Sequence, residues 1–286
     1  MKTAFVLGGG GLLGATQIGG MRALLERGVH PDLVVGTSIG AINGAHVAYS
    51  PTVENLDALA EHWVRLSSAR SLRDLRTVAP TDPGATPPRR FGRARKLSLR
   101  KPSYLYPAGP FLRMLRATLP TQTFDGLQLP FQCVAASVER SVAQWFSEGP
   151  LPEAVMASCS VPGLFPPFRI GDEHYYDGGL VHSIPIGRAI ALGATRIYVL
   201  HVGRVEQALK PPEWPWEVGT VAFEIARRHR YMEEIAETPS DIELHVMPSG
   251  TDDAPMVSLL HLNTEFVTGR IDAAHRAAVK YLEQER

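Results

Sequence analysis

Ser38 lies at the centre of the stretch Gly36-Thr-Ser-Ile-Gly40, which matches the pattern Gly-x-Ser-x-Gly. A short apolar run precedes this stretch, and small and apolar residues with helical spacing follow it, so the serine falls between a strand and a helix. Gly36 and Gly40 lack a Cβ, which lets the chain reverse sharply and lifts the serine hydroxyl out of the fold. We interpret the stretch as a nucleophile elbow, whereas the five residues alone would also suit an ordinary turn.

A glycine-rich run, GGGGLLG, extends from Gly8 to Gly14. It lies between a predicted strand at residues 3–7 and a predicted helix at residues 15–26. Backbone N–H groups in such a loop, aided by the dipole of the following helix, can point at a developing negative charge. Beside a serine nucleophile, this arrangement predicts an oxyanion hole.

The same run also matches the dinucleotide-binding fingerprint, read as Gly9-x-Gly11-x-x-Gly14. A dinucleotide site requires an acidic residue at the far end of the second strand, where it holds the ribose hydroxyls. Asp32 precedes that strand, and the Ser38 elbow occupies the position after it. The pattern therefore favours the oxyanion loop, and nucleotide binding remains the alternative.

A serine hydroxyl is a poor nucleophile until a neighbouring base takes its proton, so Ser38 requires such a base elsewhere in the chain. Asp177 opens an Asp-Gly-Gly turn, in which Gly178 and Gly179 allow close approach of the backbone. An ordinary aspartate, with a pKa of about 3.9, would have to be made more basic by burial. His182 follows five residues later and is the rival base under the logic of the serine triad.

The glycine loop, the serine elbow and the Asp-Gly-Gly turn occur in this order, and together they resemble the patatin-like phospholipase family. The run ASCSVPGLFPPF ahead of the turn looks like the family's segment at that place, and the likeness covers residues 3–202. The resemblance implies a serine lipid acyl hydrolase with a Ser38–Asp177 dyad and no metal or organic cofactor. The oxyanion amides that it implies are those of Gly9, Gly10 and Gly11, and the supporting motif glycines are Gly14, Gly36, Gly40, Gly178 and Gly179.

Leu13 departs from the family pattern, because members often carry an arginine before the last glycine of the loop. The departure removes a positive charge near the oxyanion. The three motifs and the resemblance predict cleavage of fatty acyl esters of phospholipids, lysophospholipids or neutral lipids. The alternative is a catalytically weak protein that binds lipid or regulates a partner.

Composition and charge limit the other functions that need be considered. The 286 residues include 29 basic and 29 acidic ones, so the net charge gives no argument for nucleic acid binding. Cys133 and Cys159 are too few for a disulfide framework and favour a reducing compartment. Four consecutive glycines interrupt the apolar stretch near the start, which we interpret as a strand rather than a signal peptide. No apolar run is long enough to span a bilayer, so we expect a cytoplasmic protein.

A basic segment interrupts this balanced composition. Residues 65–101 contain eleven Arg and Lys residues against two Asp, and residues 80–110 are rich in Pro, Gly and Arg without clear periodicity. The segment is interpreted as a long loop, either a solvated insertion or a lid. As a lid it would give peripheral contact with an anionic membrane through a cluster of arginines. These are Arg89, Arg90, Arg93 and Arg95.

Strands and helices alternate along the chain, which indicates a single α/β domain over residues 1–286. We expect three layers, α/β/α, with a central and mostly parallel sheet. A helix predicted at residues 220–237 would bury Val221, Ile225, Met232 and Ile235. Three apolar residues ahead of Asp177 could grip an acyl chain in a cleft, or could fill the core beneath a loop. They are Leu164, Phe165 and Phe168.

Overall fold

The computed structural model describes residues 1–67, 104–203, 208–251 and 263–284. The strands are β1 (Thr3–Leu7), β2 (Leu33–Thr37), β3 (Phe131–Ser137), β4 (Ala143–Phe146), β5 (Phe168–Ile170), β6 (Glu173–Asp177), β7 (Arg196–Leu200) and β8 (Glu243–Val246). The helices are α1 (Ala15–Glu26), α2 (Ile39–Tyr49), α3 (Val53–Ser67), α4 (Ala108–Thr118), α5 (Leu151–Ser158), α6 (Ile186–Ala191), α7 (Pro215–Ala236) and α8 (Thr264–Gln284). The glycine loop continues into a short 3-10 helix at Gly11–Gly14.

One mixed sheet forms the centre of the molecule, with the strand order β5-β6-β3-β2-β1-β7-β8 and β4 paired with β3. The pairs β3–β2, β2–β1, β1–β7 and β7–β8 are parallel, whereas β4 and β6 each pair antiparallel with β3, and β5 pairs antiparallel with β6. In the register, Leu7 lies opposite both Gly36 and Leu200. The carboxyl ends of β1, β2 and β7 therefore meet at one edge, where ligands of open α/β sheets bind.

Both faces of the sheet are covered by helices, which explains why β1 and β2 are continuous apolar runs. Phe5 and Leu7 face a large core that contains residues of α1, α2, α3, α5 and α8. Ala4 and Val6 point to the opposite face, where they pack with residues of α6 and with Tyr231 of α7. The predicted three-layer α/β/α architecture with a mostly parallel sheet is confirmed.

The first twenty residues form β1, which is an inner strand of the sheet, the glycine loop and the first part of α1. Strand β1 pairs with β2 on one side and with β7 on the other, as expected of a buried parallel strand. Within the described ranges, no helix has the length and apolar character needed to cross a membrane. Cys133 and Cys159 are buried and form no disulfide, and burial raises the pKa of both thiols.

The structure changes one predicted boundary and adds one strand. Helix α4 begins at Ala108, so the last three residues of the predicted loop at 80–110 are helical. Pro110 is tolerated there because a proline in the first turn leaves no internal hydrogen bond unmade. Strand β5 was not predicted, since its three residues follow two prolines and are too few to show the alternation of apolar and polar residues that indicates a strand. The four arginines of the proposed membrane patch, with residues 68–103, lie outside the described residues, and that patch remains a prediction.

The predicted buried face of α7 is wrong at two of its four positions, whereas Ile235 packs against the core and Val221 is half-buried. Ile225 is 55% exposed and Met232 is 61% exposed, whereas Glu224, Arg227 and Glu234 on the same helix are buried. Apolar periodicity placed Ile225 and Met232 on the buried face because it assumes an apolar partner surface. In this protein the inner face of α7 lies over backbone carbonyls and polar groups at the sheet edge, and these require charged partners.

Candidate active site

Ser38 stands on a strained turn between β2, which ends at Thr37, and α2, which begins at Ile39. Its backbone has φ 55° and ψ −122°, an unfavourable conformation for a residue with a side chain. A Cβ on Gly40 would lie 2.2 Å from the carbonyl oxygen of Leu7, and one on Gly36 would lie 2.4 Å from that of Gly40. The two motif glycines are therefore needed for close backbone packing, and the strain is concentrated on the serine.

The side chain of Ser38 meets the Asp-Gly-Gly turn. Its hydroxyl donates a hydrogen bond to Asp177 Oδ2 at 2.5 Å. Asp177 Oδ1 accepts the N–H of Gly179 at 2.7 Å, and the N–H of Asp177 donates to the carbonyl of Ser160 at 2.9 Å. Antiparallel pairing of β6 with β3, which lies next to β2, brings the turn to the elbow across 139 residues of sequence.

Asp177 is 1% exposed and Ser38 is 6% exposed, so the pair lies in a nearly dry environment. Burial raises the pKa of Asp177 to about 6, because the charged carboxylate loses its hydration. The Ser38 hydroxyl, the Gly179 N–H and the charge of Arg227 oppose this shift by favouring the ionised form. A carboxylate with a pKa near neutrality can both accept and return a proton at physiological pH.

The glycine loop lies against the serine. A Cβ on Gly9 would be 3.4 Å from the Cβ of Ser38, which is ordinary contact distance. The N–H of Gly9 already donates to the Ser183 carbonyl at 2.8 Å, whereas no hydrogen bond from the Gly10 or Gly11 amide to another described residue is found. Of the three amides expected to bind an oxyanion, those of Gly10 and Gly11 are therefore the ones left unengaged by this part of the chain.

Buried amide side chains hold the loop in place, and the sequence analysis missed them. Gln17 donates through Nε2 to the carbonyls of Gly8 (2.8 Å) and Leu200 (2.9 Å). Asn43 donates to the carbonyl of Gly14 and to Gln17 Oε1, and it accepts from Trp63. Polar residues within the otherwise apolar helices α1 and α2 were the available indication of this network.

A further residue that the sequence analysis missed is Ser158, the last residue of α5. Its hydroxyl oxygen accepts the backbone N–H of Ser38 at 2.8 Å. The segment that follows α5 also supplies the Ser160 carbonyl to the Asp177 N–H. One short stretch of chain therefore contacts both members of the pair and fixes their spacing.

The side chain of His182 contacts Glu234 and Trp145 rather than Ser38. Its Nδ1 lies 2.8 Å from Glu234 Oε1, and its ring packs on Trp145. Its backbone carbonyl accepts the hydroxyl of Thr37 at 2.8 Å. The geometry therefore places the carboxylate of Asp177, and not the ring of His182, at the Ser38 hydroxyl, and the His182 carbonyl bonds the end of β2.

The three candidate acyl-binding residues lie in and beside the core on the α4 side of the sheet. Phe165 is buried and stacked on Phe111 of α4, with ring centroids 5.2 Å apart. Leu164 and Phe168 are half-buried and pack against the same cluster. The side chain of Phe165 therefore serves the core, and Leu164 and Phe168 keep some exposed surface.

The described residues contain no group of three or more His, Cys, Asp or Glu side chains arranged to hold a metal ion. Asp32, the acidic residue considered for a dinucleotide, accepts the N–H of Thr3 through Oδ2 at 2.7 Å. That bond places it at the amino ends of β1 and β2, at the opposite end of the sheet from the glycine loop. The geometry therefore does not supply a ribose-binding carboxylate from Asp32.

The fold and the site together define a class, that of α/β proteins whose serine stands on a nucleophile elbow. A family model described as Patatin-like phospholipase matches residues 5–190, well over half of the chain. The chain belongs to this patatin-like phospholipase family, as the sequence resemblance indicated.

Curated relatives agree with this assignment. The chain is 30% identical over 208 residues to Lysophospholipase NTE1 of Phaeosphaeria nodorum, a match that covers 72% of this chain and 12% of that protein. It is 28% identical over 206 residues to a patatin-like phospholipase domain-containing protein of Caenorhabditis elegans, covering 71% and 14%. An uncharacterized NTE family protein of Mycobacterium tuberculosis is 28% identical over 194 residues, covering 68% and 47%. The match therefore spans a small part of the first two relatives and about half of the third.

The fold is similar to the crystal structure of VipD from Legionella pneumophila. The TM-score is 0.50 at 14% identity, and the superposition covers 99% of this chain and 67% of that one. At this identity the similarity shows the fold alone.

Proposed function

We propose that this protein is a lipid acyl hydrolase that cleaves fatty acyl esters, of the phospholipase, lysophospholipase or carboxylesterase type. The observation that carries the proposal is the 2.5 Å hydrogen bond from the strained Ser38 to the buried carboxyl of Asp177. Membership of the patatin-like phospholipase family supports an acyl ester as the substrate. The similarity to Lysophospholipase NTE1 of Phaeosphaeria nodorum supports the same class.

In the acylation step, Asp177 takes the proton of Ser38 while Oγ attacks the ester carbonyl carbon. The carbonyl oxygen becomes an oxyanion, which the amides of Gly10 and Gly11 stabilise as hydrogen-bond donors. Collapse of this intermediate breaks the ester bond, and the proton on Asp177 passes to the leaving alcohol. The fatty acyl group is then esterified to Ser38.

In the deacylation step, Asp177 accepts a proton from a water molecule that attacks the acyl-serine. The same amides stabilise the second oxyanion, and the proton returns to Ser38 as the fatty acid leaves. Leu164 and Phe168 are the candidate contacts for the acyl chain, because both keep exposed apolar surface.

The alternative, a catalytically weak lipid-binding or regulatory protein, rests on Leu13. Its side chain is fully buried and packs with Val202 and Phe266, so it presents no charge to the loop. This alternative predicts lipid binding without turnover, whereas the hydrolase predicts a reactive serine.

A fluorophosphonate probe separates the two functions. We expect covalent labelling of the wild-type protein that is lost in Ser38→Ala. Ser141→Ala is the matched control, because Ser141 also has a positive φ (56°) but is exposed in a turn, and its labelling should equal that of the wild type. Hydrolysis of p-nitrophenyl esters of several chain lengths should follow the labelling. Labelling that persists in Ser38→Ala, or none in the wild type, would contradict the proposal.

A further inference from the structure

The side chain of Arg227, on α7, extends to the glycine loop. The side chain is 4% exposed, and its Nη1 donates to the carbonyl of Gly9 and to Ser183 Oγ, both at 3.2 Å. Ser183 in turn accepts the N–H of Gly9 through its backbone carbonyl. One guanidinium group therefore contacts both Gly9 and the residue that holds the Gly9 amide.

The second nitrogen of the guanidinium, Nη2, donates to Glu224 one turn earlier on the same helix at 2.8 Å. Glu224 is itself buried, so the ion pair is removed from water. Buried ion pairs contribute little net stability compared with well-packed apolar residues. Stability alone therefore gives no reason for an arginine here, whereas its contacts with the loop do.

The charge of Arg227 also acts on the dyad. It favours the ionised form of Asp177, in opposition to burial. Among the described residues, the thiol of Cys159 also interacts with Asp177, and Arg227 itself is paired with the buried Glu224. Burial and the nearby Asp177 raise the pKa of this thiol, so it is neutral at physiological pH.

We propose that Arg227 is a positioning residue that fixes the glycine loop through Gly9 and Ser183 and supplies the buried positive charge of the active site. This inference rests on the proposed function, because the loop is assigned there to the oxyanion. The glycine loop has Leu13 where family members often carry an arginine. Arg227 brings a cation to this loop from α7, more than 200 residues later in the chain. The charge acts on the far side of the loop, through the Gly9 carbonyl, and leaves the Gly10 and Gly11 amides free for substrate.

The test compares Arg227→Met, which removes the charge, with Arg227→Lys, which keeps the charge but loses the planar fork. In Arg227→Met we expect kcat on a p-nitrophenyl ester to fall on the order of 10- to 100-fold with KM little changed, because the loop amides lose their alignment. The acidic limb of its kcat/KM profile should move to higher pH, because ionised Asp177 loses a charge that favours it. Arg227→Lys should restore the position of the limb and only part of kcat.

Arg230→Met is the matched control, since Arg230 lies on the same helix but is exposed and pairs only loosely with Glu233 (3.9 Å). It should keep the wild-type kcat and pH profile. If Arg227→Met fails to fold, Ser183→Ala tests the same contact, and its kcat should fall severalfold at unchanged KM. The proposal would be overturned if Arg227→Met kept the wild-type kcat and the wild-type position of the acidic limb. It would also be overturned if Ser183→Ala kept the wild-type kcat.

The labelling experiment with Ser38→Ala distinguishes failure of this inference from failure of the proposed function. A wild-type protein that labels at Ser38, with Arg227 variants that behave as wild type, would overturn the role of Arg227 alone. A wild-type protein that does not label would remove the proposed function, and the role of Arg227 would fall with it.

Discussion

Asp177 shows at the scale of one residue how burial changes chemistry. An exposed aspartate is ionised far below neutral pH and holds a proton too weakly to act as a base. Here the carboxyl is enclosed, and its pKa rises to about 6 despite three groups that favour its charge. The raised value makes Asp177 a usable base, and it also means that ionised Asp177 opposes folding.

The first prediction concerns the rate. Because the base must be ionised, kcat/KM should fall about tenfold per pH unit below pH 6 and level off above it. A pH series from 4.5 to 8 with a soluble p-nitrophenyl ester measures the acidic limb. A limb centred near pH 4 would indicate an unperturbed carboxyl and contradict the buried base.

The second prediction concerns stability. The pKa of the Asp177 carboxyl is about 6 in the folded protein and 3.8 in the unfolded chain, so between these values the folded protein keeps a proton that the unfolded chain releases. The contribution of the protonated carboxyl to stability is therefore lost as the pH rises from about 4 to 6. Asp177→Asn is always neutral. At pH 8 the variant should therefore be more stable than the wild type by about 2–3 kcal/mol.

Urea unfolding of both proteins at pH 4 and pH 8 checks this result. The difference between them should be small at pH 4 and appear at pH 8. A variant that is less stable than the wild type at pH 8 would show that the ionised carboxyl stabilises the fold.

At the scale of elements, the site is built where strand ends meet helix starts. Strand β2 delivers Ser38 to α2, and β6 delivers Asp177 to a short 3-10 helix at Gly178–Leu180. The end of α5 joins the two, through Ser158 and the carbonyl of Ser160. The strained backbone of Ser38 is therefore held by hydrogen bonds from outside its own elements.

The third prediction tests that support. Ser158→Ala removes the acceptor of the Ser38 N–H and leaves a buried donor unpaired, which should cost about 1–3 kcal/mol of stability. Because the serine then loses its fixed position, kcat should fall on the order of tenfold or more. Urea unfolding and ester hydrolysis measure the two effects.

The control is Ser67→Ala, since Ser67 is also buried but bonds to the Val64 carbonyl on α3. It should keep the wild-type kcat. A Ser158→Ala variant with unchanged kcat would show that the elbow holds its own geometry.

At the scale of the whole molecule, the residues that complete the fold lie beyond the region that the family model matches, residues 5–190. Strand β7 pairs with β1, helix α7 carries Arg227 to the glycine loop, and α8 packs on α1. The last contact is close, because a Cβ on Gly19 of α1 would lie 2.1 Å from the carbonyl oxygen of Ile271.

The fourth prediction uses this contact to separate stability from catalysis. Gly19→Ala should force α8 away from α1 and lower stability by about 1–3 kcal/mol. The dyad bond is made by other elements, so folded Gly19→Ala should label with fluorophosphonate at the wild-type rate. Gly269→Ala on α8, where a Cβ meets nothing within 4 Å, should not be destabilised. Slower labelling of folded Gly19→Ala would show that this packing controls the site.

The sequence by itself determined the elements and the three motifs, because these depend on local patterns. Apolar runs and helical periodicity predicted β1 and α1 with the bounds that the structure has, and they predicted a helix directly after Ser38, where α2 lies. The spacing of Gly36, Ser38 and Gly40 predicted the sharp turn, since residues without a Cβ on both sides of the serine allow the close approach of the backbone.

Only the tertiary structure decided which groups surround the motifs. In the structure, Ser38 bonds to Asp177 rather than His182, and the Gly9 amide bonds to the Ser183 carbonyl. The charged residues Glu224, Arg227 and Glu234 of α7 are buried. Each of these outcomes depends on partners distant in sequence, and on the need of every buried polar group to find one. Periodicity contains no information on such partners, which is why it assigned Ile225 and Met232 to the core and missed Arg227.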